Sequence, residues 1–283
     1  STQTLENTFF SQYVDTDLGY AGDDYVGCDV SRGLGYAYNG DPFDETNGAQ
    51  IGYQANPPAI GVDFFEGPYQ DADGIDNPGP VFDALTQTWT VPTVADAIAN
   101  TGIVYSGIGT GYGDGIIDNE RFGMRRFTYF VNGLSYPYTD PDVANQYYNF
   151  MSGKWGDGSA ITYGGNAQGS GGMSTDYVFP GDSDPLHWGT AGVAPSMTDP
   201  WTESQANNPP GDRRFVQSAG PFILVPGAMN NITVGIVYGR AAGGDLLASV
   251  EVMKIADTKA QALFDACFRI LDPPNAPKVT IQE

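Results

Sequence analysis

The chain reads as mainly β: a sandwich-like domain with long Gly/Asp/Pro-rich loops and a long C-terminal amphipathic helix. Three observations predict this. In Ala59–Glu66, Ile60, Val62 and Phe64 alternate with Gly61, Asp63 and Phe65, the two-residue period of a strand. After residue 245 the period changes, and Met253, Ala256, Ala260, Leu263, Phe264, Cys267 and Leu271 recur at steps of three or four, one apolar stripe of a helix. The 38 glycines and 20 prolines, a fifth of 283 residues, punctuate the rest without the repeat of collagen or the monotony of a disordered tract.

Taken in order, residues 5–14 predict a strand, followed by an acidic, glycine-broken run to Asp29. Residues 33–38 predict a short Gly-rich strand, closed by the turn chemistry of Asn39, Gly40 and Asp41. Residues 67–120 read as loop, with one short helical candidate at 94–100. Residues 122–132, rich in aromatic and β-branched side chains, predict a strand. Asp140 is placed to cap a short helix over 141–151, with Pro141 at its first position. Residues 152–212 are an extended Gly/Asp/Ser/Pro region in which a short strand at 177–179 is expected, and loops of that length are commonly functional or ion-clamped.

The stretch from 211 to 271 organises the remainder. Residues 215–224 and the run containing Ile232, Val234, Ile236 and Tyr238 predict a β-hairpin turned at Pro226 and Gly227. Its apolar face would bury the stripe of the closing helix. Asp245 is the expected N-cap of that helix, Lys254, Asp257, Lys259, Gln261 and Asp265 lie off the stripe, and the Pro273–Pro274 pair ends it after Leu271. Residues 1–272 are thus expected to form a single β-rich domain. Residues 273–283 read as a Pro-rich linker toward a following module of a longer, processed chain.

The formal net charge of −22, from 34 acids against 12 bases, repels phosphate backbones and anionic lipid, so nucleic acid is excluded as a partner class. No run of about 18 apolar residues exists to insert in a bilayer. Cys28 and Cys267 stand in no CxxC pair, so a zinc site is not indicated. Either they form a disulfide, which would require an oxidising compartment, or they are free buried thiols.

The same acidity favours a hard cation. Asp15, Asp17, Asp23, Asp24 and Asp29 fall within fifteen residues broken by Gly19, Gly22 and Gly27, and would repel one another unless neutralised. Ca²⁺ takes six to eight oxygens, which flexible acidic loops supply. Two further runs have this character, Asp71, Asp73 and Asp76 before Asn77, and Asp114, Asp118 and Glu120. Neither has the fixed twelve-residue spacing of an EF-hand loop, and Asp-Gly is also plain turn chemistry. Ca²⁺ is the expected cofactor.

Enzyme motifs are sparse. His187 is the single histidine and no GxSxG elbow accompanies it. The glycines at 107–115 precede no GK[ST], so no phosphate cradle is expected. Carboxylates suited to a glycoside hydrolase (Glu66, Glu120, Glu203) are too numerous to discriminate. Trp89, Trp155, Trp188 and Trp201 sit in loops. Trp155 and Trp188 are the candidates for stacking a glycan, although a loop tryptophan also pins its loop to the core.

Seven segments, in this order, carry a resemblance: DTDLGYAGDDYVGCD at 15–29, PPAIGVDFFEGP at 57–68, ERFGM at 120–124, YYNFM at 147–151, FPGDSDP at 179–185, DRRFVQSAGPF at 212–222 and DTKAQALFD at 257–265. Together they resemble a family of secreted, multi-modular surface proteins of Bacteroidetes-type bacteria, whose members carry fibronectin-like modules and a C-terminal type IX secretion sorting domain. The resemblance implies a location at the extracellular cell surface and no catalytic residues. The expected role is a non-enzymatic structural or adhesive module, stiffened by calcium, partnered by neighbouring modules of its parent chain or by copies of itself in a surface assembly. The alternative is a carbohydrate-binding module or glycoside hydrolase.

Overall fold

The computed structural model describes residues 2–77, 85, 109–169, 171–185, 187–197 and 200–269, and the backbone alone of 81–83 and 88–90. The expected helix at 94–100 and the linker at 273–283 lie outside the described residues.

Seven principal strands build two antiparallel sheets. β1 (Leu5–Asp15), β5 (Arg126–Val131) and β6 (Arg213–Leu224) form the first, in the order β1-β6-β5. β2 (Asp24–Asp29), β3 (Leu34–Asn39), β4 (Ala59–Glu66) and β7 (Thr233–Gly239) form the second, in the order β7-β4-β3-β2. The sheets pack face to face. Phe127 and Phe215 from the first meet Gly35 of the second, where an added Cβ would lie 2.7 Å from Phe127 and 2.3 Å from Gln217. The Gln217 amide donates to Val62 O at 2.9 Å, tying the layers through a polar group that would otherwise be buried unpaired.

Each outer face carries a helix. α1 (Ala144–Met151) lies on the first sheet, with Phe150 against Phe130 at 4.9 Å and the Ser218 hydroxyl donating to Met151 O at 2.6 Å. α2 (Ala248–Asp265) lies on the second, where Val250 and Met253 join Tyr25, Leu34, Tyr36, Tyr38 and Val237 in one buried cluster. Residues 176–179 close one side of the sandwich. The Phe127 N–H donates to Asp176 O at 2.9 Å, Val178 N–H to Phe127 O at 3.2 Å, and Cys28 N–H to Phe179 O at 3.2 Å. The expected strand at 177–179 is thus a single parallel bridge between Tyr177 and Phe127.

The expected hairpin does not form. β6 has both of its ladders filled, by β1 and by β5, so the chain after Pro226 and Gly227 crosses to the other sheet and pairs with β4 as an edge strand. The packed face of β7 is also the opposite of the one expected. Val234, Ile236 and Tyr238 are exposed, and Gly235, Val237 and Gly239 face inward. A Cβ on Gly235 would lie 2.1 Å from the Phe65 ring and one on Gly239 2.2 Å from Met253 N. Close approach of helix and strand requires the bare glycines, so apolar periodicity pointed to the wrong face.

Both helices differ from expectation at their ends. Asp140 does not cap α1; its carboxylate accepts from Arg214 at 2.9 and 3.0 Å and from the Tyr13 hydroxyl at 3.1 Å, and Val143 is the N-cap. In α2, Leu247 is the N-cap, while the Asp245 carboxylate accepts the Leu247 N–H at 3.1 Å one turn ahead. α2 stops at Asp265 because Cys267 and Phe268 take left-handed φ values of 52° and 57°, before the proline pair is reached. Leu263 and Cys267, expected in the stripe, are exposed, and Asp257, expected outside it, is buried at its centre.

Cys28 and Cys267 are both free. The layers separate them. Cys28 faces the inter-sheet core, its thiol donating to Val178 O at 3.4 Å, whereas Cys267 follows a helix on the other side of the second sheet.

Candidate metal centres

The acidic run at 15–29, taken as one cluster from the sequence, is divided among three places by the strands it enters. β1 ends at Asp15, opposite Arg214 of β6. Asp15, Asp17 and Asp212 offer ligand oxygens all within 4.8 Å of one another, the one such acidic trio among the described residues. Arg214 already stands among them. It pairs with Asp15 at 2.7 Å, Asp140 at 2.9 Å and Asp212 at 3.5 Å. Asp17 stays outside these bridges, and its carboxyl is pushed up by burial first and by Asp15 and Asp212 next.

Asp23 and Asp24 are in a different position. Asp24 opens β2 opposite Asn39, the last residue of β3, so their side chains share one face. Asp24 is completely buried, Asn39 is 3% and Asp23 8% exposed. One Asp24 oxygen accepts the Leu18 N–H at 3.1 Å. Its other oxygen, both oxygens of Asp23 and the Asn39 carbonyl Oδ1 meet no N–H or hydroxyl donor. Asp44 completes the nest, fully buried, accepting from Tyr20 N at 2.9 Å and Tyr53 N at 2.6 Å. The neighbours of the Asp23 carboxyl include another acid, Glu45, which raises it further.

Among the described residues no base pairs with these acids. Burial, then Asp44, Glu45 and Asp41, push Asp23 up to about 7, and burial with Asp23, Asp44 and Asp17 pushes Asp24 up to about 8. Orphaned, desolvated carboxylates of this kind are costly unless a counter-charge meets them. Its donors are carboxylate and amide oxygens alone, the chemistry a hard cation takes, although Asp23, Asp24 and Asp44 do not each bring an oxygen within 4.8 Å of the others. Asn39, Asp44 and Asp212 were missed from the sequence. Asn39 read as a turn residue, and nothing local marks Asp44, which lies fifteen or more residues from the acids it joins.

Gly19 makes this approach possible. It has φ +74°, and a Cβ there would lie 1.8 Å from Asp44 Oδ2. Gly19→Ala is expected to cost about 1–3 kcal/mol, combining left-handed strain with displacement of a buried carboxylate. Urea unfolding measures it, and a neutral result would show that Asp44 is free to move.

Asp29 is held by bases. Arg32 and Lys254 each meet its carboxylate at 3.3 Å, and the Ser31 hydroxyl donates at 2.6 Å, so its charge is satisfied within the protein. Asp71 is likewise used, accepting the Ile223 N–H at 2.7 Å.

The two other acidic runs meet as a clasp. Asp118 accepts the N–H groups of Asp73 and Gly74 at 2.7 and 2.8 Å. Reciprocally, Asp76 accepts those of Gly113 and Gly115 at 2.8 and 2.7 Å. Asp73 and Asp114 each bind an N–H two residues on, at 2.9 and 2.8 Å, and Glu120, 3% exposed, accepts the Asn77 N–H. The amides supply hydrogen bonds but no net positive charge. Asn77 and Asn119 each leave a buried Oδ1 without a donor.

The glycan candidates are placed differently. Trp155 is 1% exposed, its indole donating to Ala167 O at 3.2 Å between Tyr129 and Tyr138. A ring in that position has no free face for a sugar. Trp188 is half-buried and packs on the same core. His187 borders a cavity of about 210 Å³ with Asp182 and Asp184, but the Asp184 carboxylate caps the Trp188 and Gly189 N–H groups at 2.8 and 2.9 Å.

No protein-family profile, no curated protein and no solved structure matches the chain.

Proposed function

We propose that this chain is a calcium-stabilised, non-enzymatic module of a secreted, multi-modular cell-surface protein, structural or adhesive in role. Its partners are the neighbouring modules of its parent chain or further copies of itself. The observation that carries the reading is the nest of buried, donorless oxygens on Asp23, Asp24 and Asn39 beside Asp44, with no base among them. Ca²⁺ there would supply the missing positive charge, and the clasp of Asp73, Asp76, Asp114, Asp118 and Glu120 is the second place where charge exceeds its internal neutralisation. The resemblance of the seven ordered segments supports the surface location. No helix among the described residues is long and apolar enough to cross a membrane.

The test is thermal unfolding of chelator-treated protein with and without added Ca²⁺. Extracellular calcium modules bind at about 10⁻⁴–10⁻³ M, so about 5 mM Ca²⁺ should add about 1–2 kcal/mol per site. Asp24→Asn should remove the part due to the nest. An unfolding midpoint indifferent to both chelator and Ca²⁺ would discard the calcium reading.

A further inference from the structure

Between β4 and α2 lies a cavity of about 450 Å³ that the calcium reading does not use. Two of its residues are Asp63 from β4 and Asp257 from α2, 1% and 2% exposed, whose carboxyls are close enough to perturb each other. Oδ1 of each finds no N–H or hydroxyl donor. Burial and the pair's mutual repulsion push Asp63 up to about 9, and Asp257 is raised by burial, so Asp63 keeps its proton around neutral pH.

The nearby bases are paired with other acids. Asp29 is answered by Arg32 and Lys254, each at 3.3 Å, and Glu66 by Arg121 at 3.1 Å. Asp265 has the Gln261 amide at 2.7 Å. Arg32, the base in the cavity lining, is paired with Asp29 and lowers both Asp63 and Asp257 without outweighing their burial, while Asp63, Asp257 and Asp265 make no ion pair among the described residues. The walls include Phe65 and Phe122. A cavity of this volume suits a small organic molecule, and aromatic faces favour a cation. A metal ion would lack a third acidic ligand, since no acidic trio includes this pair.

We propose that this cavity binds a small aryl or alkyl amine, its ammonium group seated against the Asp63 and Asp257 carboxyls and its hydrocarbon lying against Phe65 and Phe122. Atoms and charge balance simply. The protonated amine enters, one proton leaves to solvent, and two carboxylates remain around one ammonium.

The experiment is calorimetric titration of the whole chain with benzylamine and with its neutral counterpart benzyl alcohol, in chelator and again in Ca²⁺. The calcium reading can then fail without touching this one. Benzylamine is expected to bind at least tenfold more tightly than benzyl alcohol. Two buffers of different ionisation heat should count one proton released per amine bound. Affinity should rise by up to about tenfold per pH unit between pH 6 and 8. Asp63→Asn should flatten that slope, and the Asp63→Asn, Asp257→Asn pair should lose at least tenfold in affinity. Equal binding of amine and alcohol, binding without proton release, or no binding of benzylamine would each overturn the proposal. The proton count on the unsubstituted protein decides it even if a variant does not fold.

Discussion

In chelator, the protein is expected to lose stability as the pH rises from about 4 to about 9, the opposite of a salt-bridged carboxylate. Asp23, Asp24 and Asp63 are pushed up to about 7, 8 and 9 from an ordinary value of 3.8. A group whose folded value is raised holds its proton in the native state after the unfolded chain has released it. Its contribution is therefore complete below the unfolded value and is lost as the pH climbs through the folded one. Each such group removes up to about 1.4 kcal/mol per pH unit within its window. Urea midpoints at pH 5 and pH 8 should differ plainly in chelator. Calcium should return the part that belongs to Asp23 and Asp24, because a cation stabilises the ionised nest. The Asp63→Asn, Asp257→Asn pair should remove the remainder. A midpoint that stays level or climbs between pH 5 and 8 would show that these acids ionise without penalty.

Glu203→Ala is expected to cost about 3–5 kcal/mol, the loss seen when one partner of a buried ion pair is removed. Glu203 is completely buried and Arg213 is 5% exposed. Their closest approach is 2.7 Å, with a second bond from Arg213 Nε at 2.8 Å. The other Glu203 oxygen accepts the Val26 N–H at 2.9 Å. Val26 lies in the second sheet and Arg213 begins β6 of the first, so one carboxylate fastens the layers. Without it a guanidinium and an N–H are stranded in the core. Glu203→Gln should cost less, because an amide oxygen still accepts from Val26. Adding Arg213→Met to Glu203→Ala should recover part of the loss, since no unpaired charge then remains. Measured by chemical unfolding, additive costs for the two sites would mean that they do not act as a pair.

The calcium candidates illustrate how far local pattern reaches. Glycine-broken acidic turns singled out Asp23, Asp24 and Asp29 alike, because pattern reports that a charge is present and not what answers it. Asp29 is neutralised by Lys254 of a helix more than two hundred residues away. Asp44, with no local signature, lies against Asp24 because β3 and the turn after it bring it there. The clasp was legible as two separate runs. That each caps the other's amides across about forty residues was not.

Period and composition alone determined that the chain is mainly β, that Ala59–Glu66 and Arg126–Val131 are strands, that a long helix closes the described fold, and that acids outnumber bases. These follow from neighbouring side chains and from sums over residues. Tertiary structure decided which sheet receives β7, which of its faces packs, where α2 stops and which carboxyls are buried together. Those outcomes depend on ladder edges already filled, on glycines that admit a helix, and on burial by elements distant in the chain. Asp63 and Asp257 are the clearest case: one is a polar residue of a strand, the other of a helix, and only their packing makes a pair.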